Sequence, residues 1–361
     1  MSAAALGRRQ LDALQPVVPG GSIGRKRRLR VATLDALAIM DRLSHRADWL
    51  LPLVEDLSRL ASEDSRYRFL NAIPDGPVLA LSRAVALEGA LFGSQSDAVA
   101  ELALQMGMFT LLLDGLLDEA PGDLAIASKW LRYAMNPQQW GGSGIEEFRC
   151  PELPVTDALC WLTKSIVDTV TASRGWGDEI VREQFSSATV GAFAAELRSV
   201  ALATMGHGPP PDDLRDCILA KSTAPIWAGA LIPACEHGWP TGIDPSAFEG
   251  LARSIGAFGG WIDDVVDVAE DLHAGRWSLV TLEIYLGIGP RSAGGFGGDS
   301  RSLVAKALCS TTVQARIASI GAEQLRRISQ LLTLFGSDTS GVLLALSDMA
   351  DACLFASQRA A

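Results

Sequence analysis

The chain is predicted to be all-α: one large helical bundle with a helical N-terminal extension. Three observations predict this. Ala- and Leu-rich segments repeat with a 3.6-residue period. Alternating β-branched runs are scarce, and there are only three tyrosines in 361 residues. Pro and Gly fall between the periodic segments, where helices have to stop. A composition that is 48% hydrophobic supplies enough apolar surface for a sizeable core.

Residues 1–32 lack the helical period. Arg8 and Arg9 precede a Pro- and Gly-rich stretch, not an apolar leader, and Arg25-Lys26-Arg27-Arg28-Leu29-Arg30 is a basic run. The segment reads as a flexible, solvated arm. Residues 33–75 form the extension, with one or two helices from Thr33 to Leu60, broken before Pro52. Residues 76–361 carry the main domain. Helices are expected over Pro77–Phe92 and Ser96–Glu119, around a Gly93-Ser94 turn, and then near Leu124–Met135, Val155–Ser173 and Asp178–Met205. Further helices follow over Asp212–His237, Pro245–Ala274, Leu303–Phe335 and Gly341–Ser357. Asn136–Pro154 reads as irregular, and the glycine-rich segment 287–299 as a mobile loop or lid.

The most informative stretch is Asp263-Asp264-Val265-Val266-Asp267-Val268-Ala269-Glu270-Asp271. On a helix it puts Asp263, Asp267 and Asp271 on one face, a turn apart. Carboxylates so placed repel one another, and an apolar helix carrying them calls for a multivalent cation. An all-oxygen donor set suits Mg²⁺, which keeps several waters and is completed by substrate phosphates. A second cluster has the same form: Asp114 and Asp118 lie one turn apart at the end of the apolar run from Met106, before Pro121-Gly122 closes the helix. Solvated helix surface is the competing explanation for one such cluster. It is weaker for two on very apolar helices.

Charge and cysteine usage narrow the class. A net charge of −11 argues against nucleic acid as the main partner. The six cysteines have no zinc or CxxC spacing and read as reduced, partly buried thiols of a cytoplasmic protein. No uncharged apolar run reaches eighteen residues, so no transmembrane helix is expected.

At these residues the chain resembles the trans-isoprenyl diphosphate synthases and their class I terpene synthase relatives. Asp263-Asp264-Val265-Val266-Asp267 is similar to the second aspartate-rich motif of that family, DDxxD. Asp114-Gly115-Leu116-Leu117-Asp118 is similar to the first, with Gly115 in place of the second Asp. Between them, Lys221-Ser222-Thr223 looks like the Lys-Thr segment whose Lys binds diphosphate. Gly275-Arg276 looks like the later Gly-Lys pair, with Arg at the Lys position. The ordered set runs from Gly76 to Leu282. The resemblance implies a bundle of the isoprenoid synthase type and three Mg²⁺ ions bound together with the substrate diphosphate. Their ligands would be Asp114 and Asp118 on one side and Asp263 and Asp267 on the other, with Asp271 a third ligand or surface. Lys221 and Arg276 would bind the diphosphate. Homodimerisation is implied by resemblance only.

The departures point to the reaction. The Gly-Lys-Arg-x-Arg-Pro signature that holds isopentenyl diphosphate is replaced by Gly76-Pro77-Val78-Leu79-Ala80-Leu81, without a cation. The Arg pair after the first motif is replaced by Ala120-Pro121-Gly122-Asp123, and Phe-Gln before the second by Gly259-Gly260. A diphosphate needs cationic or amide donors, so the second pocket should be disabled. The expectation is therefore a Mg²⁺-dependent terpene synthase, a carbon–oxygen lyase that ionises one allylic prenyl diphosphate and releases a hydrocarbon or alcohol. Phe109 and Trp261 are candidates to face the cation so formed, with core packing the open alternative. Prenyl transfer to another acceptor, chain elongation with an unusual second pocket and a non-catalytic binding subunit remain as rivals.

Overall fold

The computed structural model describes residues 43, 49–63, 70, 76–119, 154–203, 210–274, 276–288 and 309–334. Among these there is no strand. The helices are α1 (Leu50–Glu63), α2 (Gly76–Phe92), α3 (Asp97–Glu119), α4 (Pro154–Ala172) and α5 (Glu179–Ala203). They continue as α6 (Pro211–Ala230), α7 (Ile232–His237), α8 (Pro245–Val266), α9 (Val268–Ala274), α10 (Leu279–Ile288) and α11 (Thr311–Leu334). The expected all-α class is the one observed. The arm at 1–32, most of the glycine-rich segment, and the helices expected at Leu124–Met135 and Gly341–Ser357 lie outside the described residues.

Two expected elements differ in detail, and one helix was not expected. Asp212–His237 is two helices, α6 and α7, separated at Leu231, with Pro233 in the first turn of α7, where a missing N–H costs nothing. Pro245–Ala274 is interrupted at Asp267, whose backbone at φ −94°, ψ 5° closes α8. Helix α10 was not anticipated, because Leu279–Ile288 is apolar all round and shows no 3.6-residue contrast.

The chain forms two compact units, 1–196 with 228–242, and 197–227 with 243–361. In the first, α2, α3 and α4 pack in succession, and α7 rests on α2 and α3. The polar Gln105 lies fully buried on α3. Its amide donates to Ser165 Oγ (2.9 Å) and its carbonyl accepts from Thr169 Oγ1 (3.3 Å), pinning α3 against α4. Glu88 of α2 is also fully buried. One oxygen accepts the Ser96 N–H that precedes α3 (3.0 Å), and the other meets His237 Nε2 at the end of α7 (2.7 Å). One carboxylate thus ties three helices.

In the second unit α8 packs on α11, with α9 and α10 against its C-terminal end. Leu251, Phe258, Trp261, Ile262 and Ile328 make the core of the α8–α11 pair. The apolar stripe of α8 recurs at three- and four-residue steps, which is why it was legible as a helix. Asp97–Leu117 and Pro211–His237 are long and apolar enough by length and composition to cross a membrane, but more than half of each is buried in the protein.

Candidate acidic site

In the second unit the acidic segment is built from the backbone outward. The Asp267 N–H donates to Asp263 O (2.9 Å), and the Asp271 N–H donates to Asp267 O (2.9 Å). The one-turn spacing of the three acids therefore survives the break between α8 and α9. Asp263 and Asp264 occupy the last turn of α8, at the negative end of its dipole, which adds to their mutual repulsion. Asp263 and Asp267 are exposed, and Asp271 is half-buried.

Asp264 does something else. Its Oδ2 accepts the Leu279 N–H (2.6 Å), the first amide of α10. Ser278 caps the same helix: its Oγ accepts the Thr281 N–H (3.2 Å), while Thr281 Oγ1 accepts the Ser278 N–H (2.7 Å). This reciprocal pair is a capping box with Thr in the Glu position. It satisfies N–H groups that α10 would otherwise leave orphaned. Ser278 also favours the charged form of the Asp271 carboxyl. The Arg276–Leu279 turn is thus held by the Asp271 carbonyl, which accepts the Arg276 N–H (2.8 Å), and by Asp264, its side-chain anchor. The Ser-x-x-Thr signal was present in the sequence and was missed.

Electrostatics follow from this crowding. Burial, and then the neighbouring Asp271, Asp263 and Asp267, push the Asp264 carboxyl up to about 7, against the opposing pull of the Leu279 N–H. Burial and Asp267 raise Asp271 to about 6, while Ser278 and Arg276 pull it back. Burial and Glu270 raise Asp267, opposed by Arg276. Between about 4 and about 7 the folded protein keeps a proton on Asp264 that the unfolded chain has already released. Stability from this group is therefore full at low pH and is lost as pH rises through about 7. Asn at this position still accepts from Leu279 without having to hold a charge. In chelator-treated protein, Asp264→Asn should melt above wild type by clearly more at pH 8 than at pH 5. Thermal melts across that range check the prediction, and equal gains at both pH values would refute it.

Lys221 is half-buried on α6. The adjoining Ser222 and Thr223 meet α8 at two glycines. A methyl on Gly256 would stand 2.7 Å from Ser222 O and 2.9 Å from Thr223 Cα, and one on Gly260 would stand 2.6 Å from Ser222 Cβ. Hydrogen alone fits, so α6 and α8 cross at the Lys-Ser-Thr segment, one turn before the acids. Pro225 also cannot donate the amide that would ordinarily meet the Lys221 carbonyl. Arg276 is half-buried, with Nη1 3.7 Å from Glu270 Oε1.

Trp261 has a packing role. Its Nε1–H donates to Ile317 O (2.9 Å), its ring stacks on Phe258 at 5.7 Å, and Gly321 leaves room for it. Trp227 is likewise core, edge-on to Phe248 at 5.5 Å. In the first unit, Asp114 is half-buried on α3 and Asp118 is the penultimate residue of that helix. Phe109, half-buried on the same helix, meets Phe193 edge-on at 5.5 Å.

Among the described residues no three His, Cys, Asp or Glu side chains converge on a point. The donor chemistry of the acidic segment nevertheless fits a divalent cation. It offers exposed oxygen donors one turn apart at a helix's negative end, on carboxyls that resist losing their protons to bare charge. A cation would remove that penalty.

No protein-family model and no curated protein matches the chain. Among solved structures it is similar to a geranylgeranyl pyrophosphate synthetase from the archaeon Geoglobus acetivorans. That match has 14% identity and a TM-score of 0.50, covering 87% of this chain and 98% of that one. A T. brucei farnesyl diphosphate synthase, complexed with homorisedronate BPH-6, is similar at 17% identity and a TM-score of 0.47, with coverages of 87% and 98%. The chain therefore has the all-α fold of a trans-isoprenyl diphosphate synthase.

Proposed function

We propose that this protein is a class I terpene synthase that ionises a single allylic prenyl diphosphate. The observation that carries the reading is the acidic segment Asp263–Asp271, kept at one-turn spacing on this fold while the region at Gly76–Leu81 has no cation to hold a second diphosphate. Asp263 and Asp267 would ligate Mg²⁺ in one unit, and Asp114 and Asp118 in the other. Bound there, Mg²⁺ supplies Lewis-acid neutralisation of the departing diphosphate.

The chain's own residues do the rest. Lys221 and Arg276 donate charge-assisted hydrogen bonds to phosphate oxygens, worth most where charge develops. Asp264 keeps the Arg276 turn in register by capping α10. Phe109 offers an aromatic face to the allylic cation, worth about 0.5–2 kcal/mol.

The second reading is prenyl transfer, to an acceptor other than isopentenyl diphosphate or, as chain elongation, to isopentenyl diphosphate itself. Similarity to a protein named geranylgeranyl pyrophosphate synthetase supports it. One assay separates the two: purified protein with Mg²⁺ and allylic diphosphates of increasing chain length, with and without isopentenyl diphosphate, products read by mass spectrometry. A hydrocarbon or alcohol formed from one diphosphate alone is expected. Longer diphosphates that appear only with isopentenyl diphosphate would replace the cyclase reading with chain elongation.

A further inference from the structure

Most helical glycines of the second unit have a packing reason. Gly256 and Gly260 sit against Ser222 and Thr223 of α6, Gly321 against the Trp261 ring and Gly287 against Val313, each nearer than a Cβ would allow. Gly259 has no such reason. It lies inside α8, half-buried, and nothing stands within 4 Å of the Cβ that another residue would place there. A glycine inside a helix is destabilising relative to alanine, because it loses more backbone freedom on folding. Here packing does not call for that loss. The position of the space ties it to the acids. Gly259 precedes Asp263 by four residues, so the two share one side of α8, about 6 Å apart along its axis. Ala252, two turns further along the same side, is buried. From exposed Asp263 to buried Ala252 this side of α8 runs into the protein, and at Gly259 it carries no side chain. Gly260 instead turns toward Ser222, and Phe258 and Trp261 pack toward α11.

We propose that Gly259 is a specificity-determining residue, whose bare backbone keeps open the space in which the prenyl chain doubles back beside the diphosphate. The inference rests on the reading above that Asp263 helps to hold the diphosphate for ionisation. In that reaction the C1–O bond breaks and its electron pair leaves with the diphosphate. Ring closure then brings a distal double bond to C1, and its π pair forms the new C–C bond. The positive charge moves to the far carbon of that double bond. It is discharged by proton loss to water, or by addition of water followed by proton loss. A folded chain needs the width of two chain segments close to the acid that holds the diphosphate, whereas an extended chain needs the width of one. Gly259 is where α8 gives up its own volume to supply that width. A side chain there would lie on the Asp263 side of the helix and fill it.

Three variants of the full chain, Gly259→Ala, Gly259→Val and Gly259→Leu, add volume stepwise at this one place. Calorimetric titration with inorganic pyrophosphate at saturating Mg²⁺ should match wild type in all three, because the diphosphate end is untouched. Titration with C15 and C20 allylic thiolodiphosphates, which resist ionisation, should weaken from Ala to Leu. The loss for Gly259→Leu should reach about tenfold to hundredfold, the range in which a pocket discriminates small changes in apolar volume. With the allylic diphosphate that wild type turns over, Gly259→Leu should release acyclic alcohol or hydrocarbon in place of the cyclic product, read by mass spectrometry. Thermal melts without metal or substrate verify folding, and Gly259→Ala should melt no lower than wild type. If Gly259→Leu does not fold, Gly259→Val carries the same comparison. Wild-type affinity for the thiolodiphosphates together with an unchanged product profile in the bulkiest folded variant would overturn the role of Gly259 and leave the proposed function standing. A wild type that ionises none of the allylic diphosphates, or that only lengthens them with isopentenyl diphosphate, would overturn both.

Discussion

Asp263→Asn is expected to reduce kcat/KM for an allylic diphosphate by roughly 10²–10³-fold, the size of effect seen when one element of preorganised charge stabilisation is removed. Asn keeps the shape and one oxygen but not the negative charge, so the loss isolates electrostatics from packing. Asp263 is exposed in the last turn of α8. The fold should therefore tolerate the change, and the thermal midpoint should stay close to wild type. Asp264→Asn is the paired control. Its oxygen still accepts from Leu279, so kcat/KM should fall less than tenfold. Steady-state kinetics on the two variants, each at several Mg²⁺ concentrations, decide the assignment. Equal losses at the two positions would mean that Asp264 shares the metal chemistry, and no loss at Asp263 would remove the acidic segment from the reaction.

Gly256→Ala should destabilise the protein by about 1–3 kcal/mol, the usual cost of overpacking. The neighbours of the new methyl are Ser222 O and Thr223 Cα, at 2.7 and 2.9 Å. Both are backbone atoms of a helix and cannot rotate away, so α6 and α8 must separate. Gly260→Ala should behave similarly, since Ser222 Cβ stands 2.6 Å from the added methyl. Gly259→Ala provides the contrast. Nothing lies within 4 Å of a methyl there, and replacing a helical Gly by Ala is favourable by up to about 1 kcal/mol. Denaturant melts of the three variants check this ordering. A Gly256→Ala protein as stable as Gly259→Ala would show that the helices do not meet as closely as the structure has them.

The predictions rest on features that were unequally visible beforehand. The second acidic segment was legible because its spacing is local, and residues four apart share a helix face whatever surrounds them. The same applied to α3 with Asp114 and Asp118, and to most helix limits, which Pro and Gly mark. Gly259-Gly260 was legible only as a departure from the Phe-Gln of a resembling family. That Gly260 is a contact surface for Ser222, and Gly259 is not, depends on which way each faces along α8 and on where α6 lies. Trp261 was placed beside the acids by its position in the chain. The structure turns it onto Ile317 and Gly321 of α11, because an indole with one N–H finds both burial and an acceptor there.

The sequence by itself determined the helical class, the order of the elements and the one-turn registers of the acids, because all of these follow from interactions within a few residues. Only the tertiary structure decided which acids are exposed and which are structural. Asp263 and Asp264 are neighbours in the chain with the same chemistry, but they point about 100° apart on α8. One is left exposed at the helix end, while the other meets the first amide of a helix fifteen residues later. Burial and partnership are properties of the packed chain, and they give two identical carboxylates different work.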